Sequence, residues 1–135
     1  MTIAFTDLVL IDTSIWIDYF RKKEPLFEEV ENLIEQERVC IVHFIVAEIL
    51  QGAKSDEEFK ILQSATEIFH SLEEQADTWV EAARLSNHLR RTGNPIGLGD
   101  CYIATLASQH NAILWTLDKH FKQIKKFLKI KLYRD

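Results

Sequence analysis

The chain has 135 residues, of which 47% are hydrophobic and 27% are charged, and its formal net charge is -5. These values exclude an intrinsically disordered chain, and the length predicts one domain over residues 1–135 with a sizeable core. The net negative charge argues against nucleic-acid binding by bulk electrostatics alone. Residues 1–7 lack the features of a secretory signal and no apolar run is long enough to span a membrane, so we expect a cytoplasmic protein without a membrane partner.

Short apolar runs alternate with segments of helical periodicity along the chain. The predicted strands are 8–11, 39–42, 68–72, 113–116 and 128–133, the last at an edge of the sheet. The predicted helices are 14–20, 26–36, 43–53, 56–69, 75–92, 99–111 and 118–126. Strands separated by helices predict an α/β fold, a three-layer α/β/α arrangement around a mostly parallel sheet.

Turn and cap signals set the expected ends of several helices. Ser14 or Thr13 is the expected N-cap of the first helix, with Asp12 as the alternative cap if it is not part of a site, and Asp118 is a candidate N-cap of the last helix. Gly52 and Gly93 are expected to end the third and fifth helices.

The cysteine and histidine residues show no spacing that is typical of a zinc site. Cys40 and Cys101 lie far apart in apolar segments, which favours buried free thiols. We interpret all five histidines as surface or core residues, namely His43, His70, His88, His110 and His120.

Four acidic residues are isolated from the acid-rich helix faces that need no functional explanation. They are Asp12, Glu48, Asp100 and Asp118. Each has a structural explanation when taken alone: the aspartates suit strand ends, helix caps or first helical turns, and a lone glutamate is usually exposed. Together they indicate a site, because Asp12 and Asp118 follow strands and Asp100 opens a helix at the same sheet edge, where α/β proteins bind ligands.

Convergent carboxylates repel one another unless cations neutralise them. Oxygen ligands select hard divalent ions, which indicates Mg²⁺ or Mn²⁺ at this edge. Such ions polarise a phosphodiester and activate water, so hydrolysis of phosphodiesters is the chemistry that this pattern favours.

Four segments in order, 10–20, 47–53, 96–104 and 114–121, resemble the successive motifs of PIN-domain ribonucleases, especially VapC-type toxins. The resemblance implies a PIN-like fold and a metal-dependent endoribonuclease that cleaves RNA as the toxin of a type II toxin–antitoxin pair. It implies that Asp12, Glu48, Asp100 and Asp118 are the catalytic and metal-binding acids. It further implies that Ser14 and Thr116 orient ligands or water beside them, that the protein is a homodimer, and that the tail of a cognate antitoxin occupies the groove.

Basic residues near the motifs are candidates for RNA contact. The segment from Lys119 to Arg134 holds seven basic residues and no acid, whereas Glu24 to Glu37 holds six acids and no base. Arg90 and Lys119 are the proposed substrate-binding residues because they bracket the motifs of Asp100 and Asp118. Solvated helix ends are the alternative explanation for each of them.

Two other functions remain open at this point. One is an RNA-processing PIN-like nuclease outside a toxin pair. The other is a receiver-like or acidic-pocket binding module without hydrolytic activity, although Thr13 and Ser14 follow Asp12 where a receiver carries further acids.

Overall fold

The computed structural model describes residues 7–134. Residues 1–6 lie outside the described residues. They make up most of the segment 1–7, which lacks the features of a secretory signal. The strands are β1 (Val9–Ile11), β2 (Val39–Ile41), β3 (His70–Ser71), β4 (Ile113–Trp115) and β5 (Lys131–Leu132). The helices are α1 (Thr13–Phe20), α2 (Leu26–Glu35), α3 (His43–Gln51), α4 (Asp56–Glu67), α5 (Thr78–Arg91), α6 (Leu98–Gln109) and α7 (His120–Ile124).

The strands form one sheet in the order β3-β2-β1-β4-β5, and every neighbouring pair is parallel. This confirms the α/β class and the parallel sheet, with β5 at an edge. The sheet is built outward from β1 in both directions, first to β2 and then to β4. The order therefore reverses between β1 and β4, and ligands of open α/β sheets bind at the carboxyl ends of strands at such a point.

The central strand is short and completely buried. Val9, Leu10 and Ile11 have no exposed surface, as expected for a parallel strand that is covered on both faces. Helix α6 is the most enclosed helix of the described chain, with every residue from Cys101 to Ala107 buried. A helix that is apolar on all sides belongs in the core. Asp100 immediately precedes this buried stretch, at the end of the helix that faces the sheet's carboxyl edge.

Two predicted helix starts are wrong because side chains pair with backbone groups just before the helix. Helix α5 begins at Thr78 rather than at Gln75, because the chain turns there: the Gln75 N–H donates to the Thr78 hydroxyl at 2.8 Å. Helix α7 begins at His120 rather than Asp118, because the Asp118 Oδ1 accepts the His120 N–H at 2.8 Å. Lys119, not Asp118, occupies the N-cap position of α7.

The N-cap of the first helix is the alternative residue, Asp12, rather than Ser14 or Thr13, and the predicted glycine ends are confirmed. Asp12 is the N-cap of α1 and accepts the Thr13 N–H. Gly52 is the C-cap of α3. Gly93 follows the C-cap of α5 with φ of 85°, and the Asn94 N–H reaches back to the Leu89 carbonyl at 2.8 Å. That bond is typical of a Schellman motif, which requires a left-handed residue.

Cys40 and Cys101 are both buried and free, as the sequence indicates. Between residues 7 and 134, no helix is both long enough and apolar enough to cross a bilayer.

Candidate active site

The carboxyl ends of β1 and β4 lie side by side and bring Asp12 next to Thr116. The Asp12 N–H donates to the Trp115 carbonyl at 2.9 Å. Asp12 is only 6% exposed, and its Oδ1 accepts the Thr13 N–H at 2.8 Å. Its Oδ2 accepts the Thr116 hydroxyl at 2.7 Å. The carboxylate is therefore held at both oxygens, so its orientation is fixed by the start of α1 and the end of β4.

Thr13 links this carboxylate to a second one on a different helix. Glu48 lies in the second half of α3 and is half-buried. Its Oε1 accepts the Thr13 hydroxyl at 2.7 Å, while the Thr13 N–H binds Asp12. One threonine at the start of α1 therefore joins two acids that are 36 positions apart in the sequence.

The loop that follows β4 carries the third acid. The Thr116 hydroxyl donates to Asp12 and accepts the Asp118 N–H at 3.0 Å, so it joins the two aspartates directly. The Ser14 Oγ accepts the Leu117 N–H at 3.3 Å and fixes the same loop against α1. The positions of Asp12 and Asp118 are therefore coupled through hydroxyl groups.

The fourth acid lies at the start of α6 and meets a histidine from α7. The His120 Nδ1 lies 3.4 Å from the Asp100 Oδ2 and 3.4 Å from the Asp118 Oδ1. One donor atom from each of these three residues lies within 4.8 Å of the other two, a spacing that could hold a metal ion. The chain of contacts thus runs from Glu48 through Asp12 and Asp118 to Asp100.

Burial and mutual repulsion raise the pKa of two of these acids. Burial has the largest effect on the pKa of Asp12; hydrogen bonds from Thr116 and Thr13 lower it, and the charges of Asp100 and Glu48 raise it. Burial also raises the pKa of Asp100, with a hydrogen bond from His120 lowering it and the charge of Asp118 raising it. The fully ionised cluster is therefore unfavourable without positive charge nearby.

The structure brings six of the predicted site residues into this one network. They are Asp12, Ser14, Glu48, Asp100, Thr116 and Asp118. The two predicted RNA-binding residues are exposed: Lys119 directly follows Asp118, and Arg90 lies in the last turn of α5. Within residues 7–134, neither side chain forms a hydrogen bond or ion pair with the network.

Sequence reasoning misses two members of the network. It identifies Thr13 only as a helix cap, although a hydroxyl next to an isolated acid is a signal for a ligand-orienting residue. It places His120 among the surface and core histidines. The position of His120 two residues after Asp118 is a weak signal, because its contact with Asp100 depends on how α7 packs on α6.

A groove begins beside Glu48 and runs between α1, α3 and α4. Its volume is about 580 Å³. Apolar wall residues include Ile17 and Ile61, which are 42% and 61% exposed, and Arg21 and Lys54 add positive charge. The groove therefore joins an apolar surface to one end of the acidic network.

Comparisons with known proteins identify the family. The PIN domain family model matches residues 9–127. Ribonuclease VapC11 of Mycobacterium tuberculosis is 34% identical over 122 residues, which are 87% of this chain and 91% of that protein. Ribonuclease VapC1 of Methanocaldococcus jannaschii is 29% identical, over 88% of this chain and 82% of its own length.

A solved structure shows the same fold. It is VapBC-5 of Mycobacterium tuberculosis, described as a member of the VapBC family of toxin–antitoxin systems. Its matched chain superposes with a TM-score of 0.68 at 20% identity, over 96% of this chain and 99% of that one. The chain therefore belongs to the PIN domain family, and within it to the group that contains the VapC ribonucleases. The match gives no support to the receiver-like alternative.

Proposed function

We propose that the protein is an endoribonuclease that depends on Mg²⁺ or Mn²⁺ and serves as the toxin of a type II toxin–antitoxin pair. The observation that carries the proposal is the network of Asp12, Glu48, Asp100 and Asp118 at the point where strand order reverses. Its relatives in the PIN domain family are named ribonucleases. The fold and the site chemistry thus support the same reaction class.

The residues present fit a divalent cation. Their donor atoms are mainly carboxylate oxygens, the ligands that Mg²⁺ and Mn²⁺ prefer. The pKa values of Asp12 and Asp100 are raised by burial and by neighbouring acids, so positive charge at this position would relieve an unfavourable arrangement. Asp12 and Asp100 are the firmest candidate ligands, with Glu48 and Asp118 completing the set directly or through water.

The chain's own residues preorganise this site. Thr13 and Thr116 hold Asp12 and Glu48 in fixed orientations, and Ser14 fixes the loop that carries Asp118. A divalent ion held by these acids would polarise a phosphodiester and would lower the pKa of water in the site. Prior orientation of the acids matters because no reorganisation is then needed as charge develops on the phosphate.

RNA is the proposed substrate, and Lys119 and Arg90 are the proposed contacts to its phosphates. Lys119 is placed beside Asp118, and Arg90 is exposed on α5. Positive side chains contribute most of the affinity for a polyanion by releasing counterions. The basic segment that begins at Lys119 supports this role despite the negative net charge.

A cognate antitoxin and a second copy of the chain are the proposed protein partners. The similar structure from Mycobacterium tuberculosis belongs to a toxin–antitoxin system, which supports the first. The groove beside Glu48 is a suitable place for an antitoxin segment, because its occupant would lie against the acidic network. The homodimer rests on resemblance to the family.

Cleavage of a mixed RNA pool with Mg²⁺, Mn²⁺ or EDTA tests the enzymatic proposal. We expect cleavage with either ion, none in EDTA, and recovery when the ion is restored. Asp12→Asn and Asp100→Asn should each abolish detectable cleavage, because each removes a proposed ligand charge without changing side-chain shape. Asp56→Asn, the same change at an exposed position in α4, is the matched control and should cleave like the parent. Cleavage in EDTA, or full activity of both site variants, would overturn the mechanism.

The toxin assignment needs a separate experiment. Induction of the chain in a bacterial host should arrest growth, and co-expression of a small neighbouring open reading frame should relieve the arrest. The Asp100→Asn variant should not arrest growth. Arrest that persists with this variant would show that toxicity does not come from RNA cleavage.

A further inference from the structure

His120 lies where its imidazole nitrogen can bind a cation as well as pair with the neighbouring acids. Its Nδ1 is equidistant from Asp100 and Asp118, at 3.4 Å from an oxygen of each. Octahedral coordination at about 2.1 Å places neighbouring ligand atoms roughly 3 Å apart, so donors at this spacing can share one ion after small movements. Among residues 7–134, Asp100, Asp118 and His120 form the group of histidine and acidic side chains whose donor atoms all lie within 4.8 Å of one another.

The backbone of the residue that carries the ring is fixed in this position. The Asp118 Oδ1 that faces the ring also accepts the His120 N–H at 2.8 Å, which fixes the first residue of α7 against the loop. The next residue, Phe121, is completely buried, as is Ile124 one turn later. Because α7 is fixed by these apolar contacts, the imidazole is directed over the start of α6, where Asp100 lies.

The nitrogen donor changes which ion the site prefers. Mg²⁺ is bound through oxygen atoms, whereas imidazole is a good ligand for first-row transition metals. Two carboxylates with one imidazole therefore favour Mn²⁺ over Mg²⁺, while four carboxylates alone would accept both. We propose that His120 is a nitrogen ligand at the Asp100–Asp118 position and that it shifts the preference of the protein from Mg²⁺ towards Mn²⁺. This inference rests on the proposed function for the existence of the metal site, and adds the identity of a ligand and of the preferred ion.

A different role for His120 makes an opposite prediction. If the ring only pairs with Asp100 and Asp118, an incoming cation must displace it. Removing the ring would then raise the affinity for Mn²⁺ and Mg²⁺ alike. If the ring is a ligand, its removal lowers Mn²⁺ affinity and has little effect on Mg²⁺.

Metal binding to the full chain without RNA distinguishes these roles. Mn²⁺ affinity is measured from the spectrum of the free ion by electron paramagnetic resonance, and Mg²⁺ affinity by competition against bound Mn²⁺. The parent should bind Mn²⁺ at least about tenfold more tightly than Mg²⁺. His120→Asn, which places an amide group near the position of Nδ1, should lower Mn²⁺ affinity about tenfold and change Mg²⁺ affinity by less than about threefold, by analogy with losses at metal sites.

Spectroscopy of bound Mn²⁺ adds a readout that does not depend on affinity. Electron spin echo modulation should show a directly coordinated nitrogen in the parent and none in His120→Asn. His70→Asn, a change at an exposed histidine on β3, should behave as the parent in both measurements. A parent spectrum without coordinated nitrogen, or equal changes in both affinities for His120→Asn, would overturn the proposal.

Failure of this inference can be told apart from failure of the proposed function. Asp100→Asn should lose both ions whichever role His120 has. If EDTA-sensitive RNA cleavage is present and coordinated nitrogen is absent, the proposed function stands and His120 is not a ligand. If the parent binds neither ion at millimolar concentration, both proposals fail.

Discussion

At the scale of single residues, hydroxyl groups position the acids of the site. Thr116 donates to Asp12 and accepts from the Asp118 backbone, so one side chain sets the separation of two carboxylates. Thr13 has the same function for Asp12 and Glu48. Residues that orient metal ligands commonly affect activity almost as strongly as the ligands themselves.

Thr116→Val tests this role, because valine has the shape of threonine but no hydroxyl. We expect RNA cleavage to fall roughly 10- to 100-fold, as for other groups that orient metal ligands. The free energy of unfolding should fall by about 2–4 kcal/mol, because the hydroxyl makes two hydrogen bonds and one of them is to a buried carboxylate. Initial cleavage rates and chemical denaturation measure the two effects.

Two further variants make the result specific to the hydroxyl. Thr116→Ser restores it and should recover most of the cleavage rate. Thr92→Val removes a hydroxyl that binds the backbone at the end of α5, and should leave cleavage unchanged. Wild-type cleavage by Thr116→Val would show that Asp12 and Asp118 do not need this link.

At the scale of helices and strands, the Phe44 ring of α3 packs directly on the backbone of α6 at Gly99. A Cβ atom at Gly99 would lie 2.4 Å from the Phe44 ring, which is far inside van der Waals contact. The ring also lies 5.9 Å from the Tyr102 ring, centre to centre. Glycine at this position lets the Phe44 ring pack on the backbone of α6 without a shift of either.

Gly99→Ala should therefore move α3 away from α6 or displace the Phe44 ring. We expect a loss of about 1–3 kcal/mol in unfolding free energy, typical of overpacking, and a reduced cleavage rate. Phe44→Leu in the same chain should make room for the methyl group and recover part of both losses. Strictly additive effects of the two substitutions in a double-mutant cycle would argue against a direct contact.

Helices α1 and α2 are linked by a half-buried tyrosine that gives the fold a dependence on alkaline pH. The Tyr19 hydroxyl donates to the Glu31 carboxylate at 2.8 Å. Burial and this acid raise the pKa of Tyr19 to about 12 from 10.0. The folded protein then holds the proton more tightly than the unfolded chain, so this stabilisation is complete below pH 10 and is lost as pH rises towards 12.

The wild type should thus lose stability between about pH 10 and pH 12 more steeply than Tyr19→Phe, which has no phenol to ionise at this position. Thermal melts of both proteins across this range measure the difference, in which the titration of the lysines cancels. The ultraviolet absorbance of tyrosinate should show one tyrosine fewer titrating late in the variant. Parallel loss of stability in the two proteins would contradict the raised pKa of Tyr19.

The helices and strands can be predicted because their sequence signals are local. Several contacts within the site cannot be predicted, because they join residues that are distant in the sequence. Buried strands such as β1 appear as aliphatic runs, and the stop of α5 follows from Gly93. The clustering of isolated acids follows from the rule that parallel strands end at one edge. Contacts such as His120 with Asp100 depend on the packing angle of α7, which residue patterns do not encode. The predicted start of α7 is wrong because the Asp118 side chain accepts the His120 N–H, so Asp118 belongs to the turn before the helix.

At the scale of the whole molecule, the acidic helix α2 contacts the basic segment that runs from Lys119 to Arg134. Arg134, near the end of the basic segment, pairs with Glu29 on α2. This ion pair neutralises part of the segment. Lys119 is at its other end, beside the acidic network, and is exposed to solvent. Lys119 is therefore the basic residue of this segment that lies next to the acidic network in sequence, although the net charge is -5.

Charge reversal at Lys119 and Arg90 tests whether these two residues contact the phosphates of RNA. Each substitution to Glu should weaken RNA binding in EDTA, because attraction to one phosphate is replaced by repulsion. The logarithmic salt dependence should become shallower by about 0.7 for each single-strand phosphate that the protein no longer neutralises. Lys60→Glu, the same change at an exposed position of α4, should leave both affinity and salt dependence unchanged. If the double variant binds RNA with the affinity and slope of the parent, the polyanion must approach the carboxylates from another side.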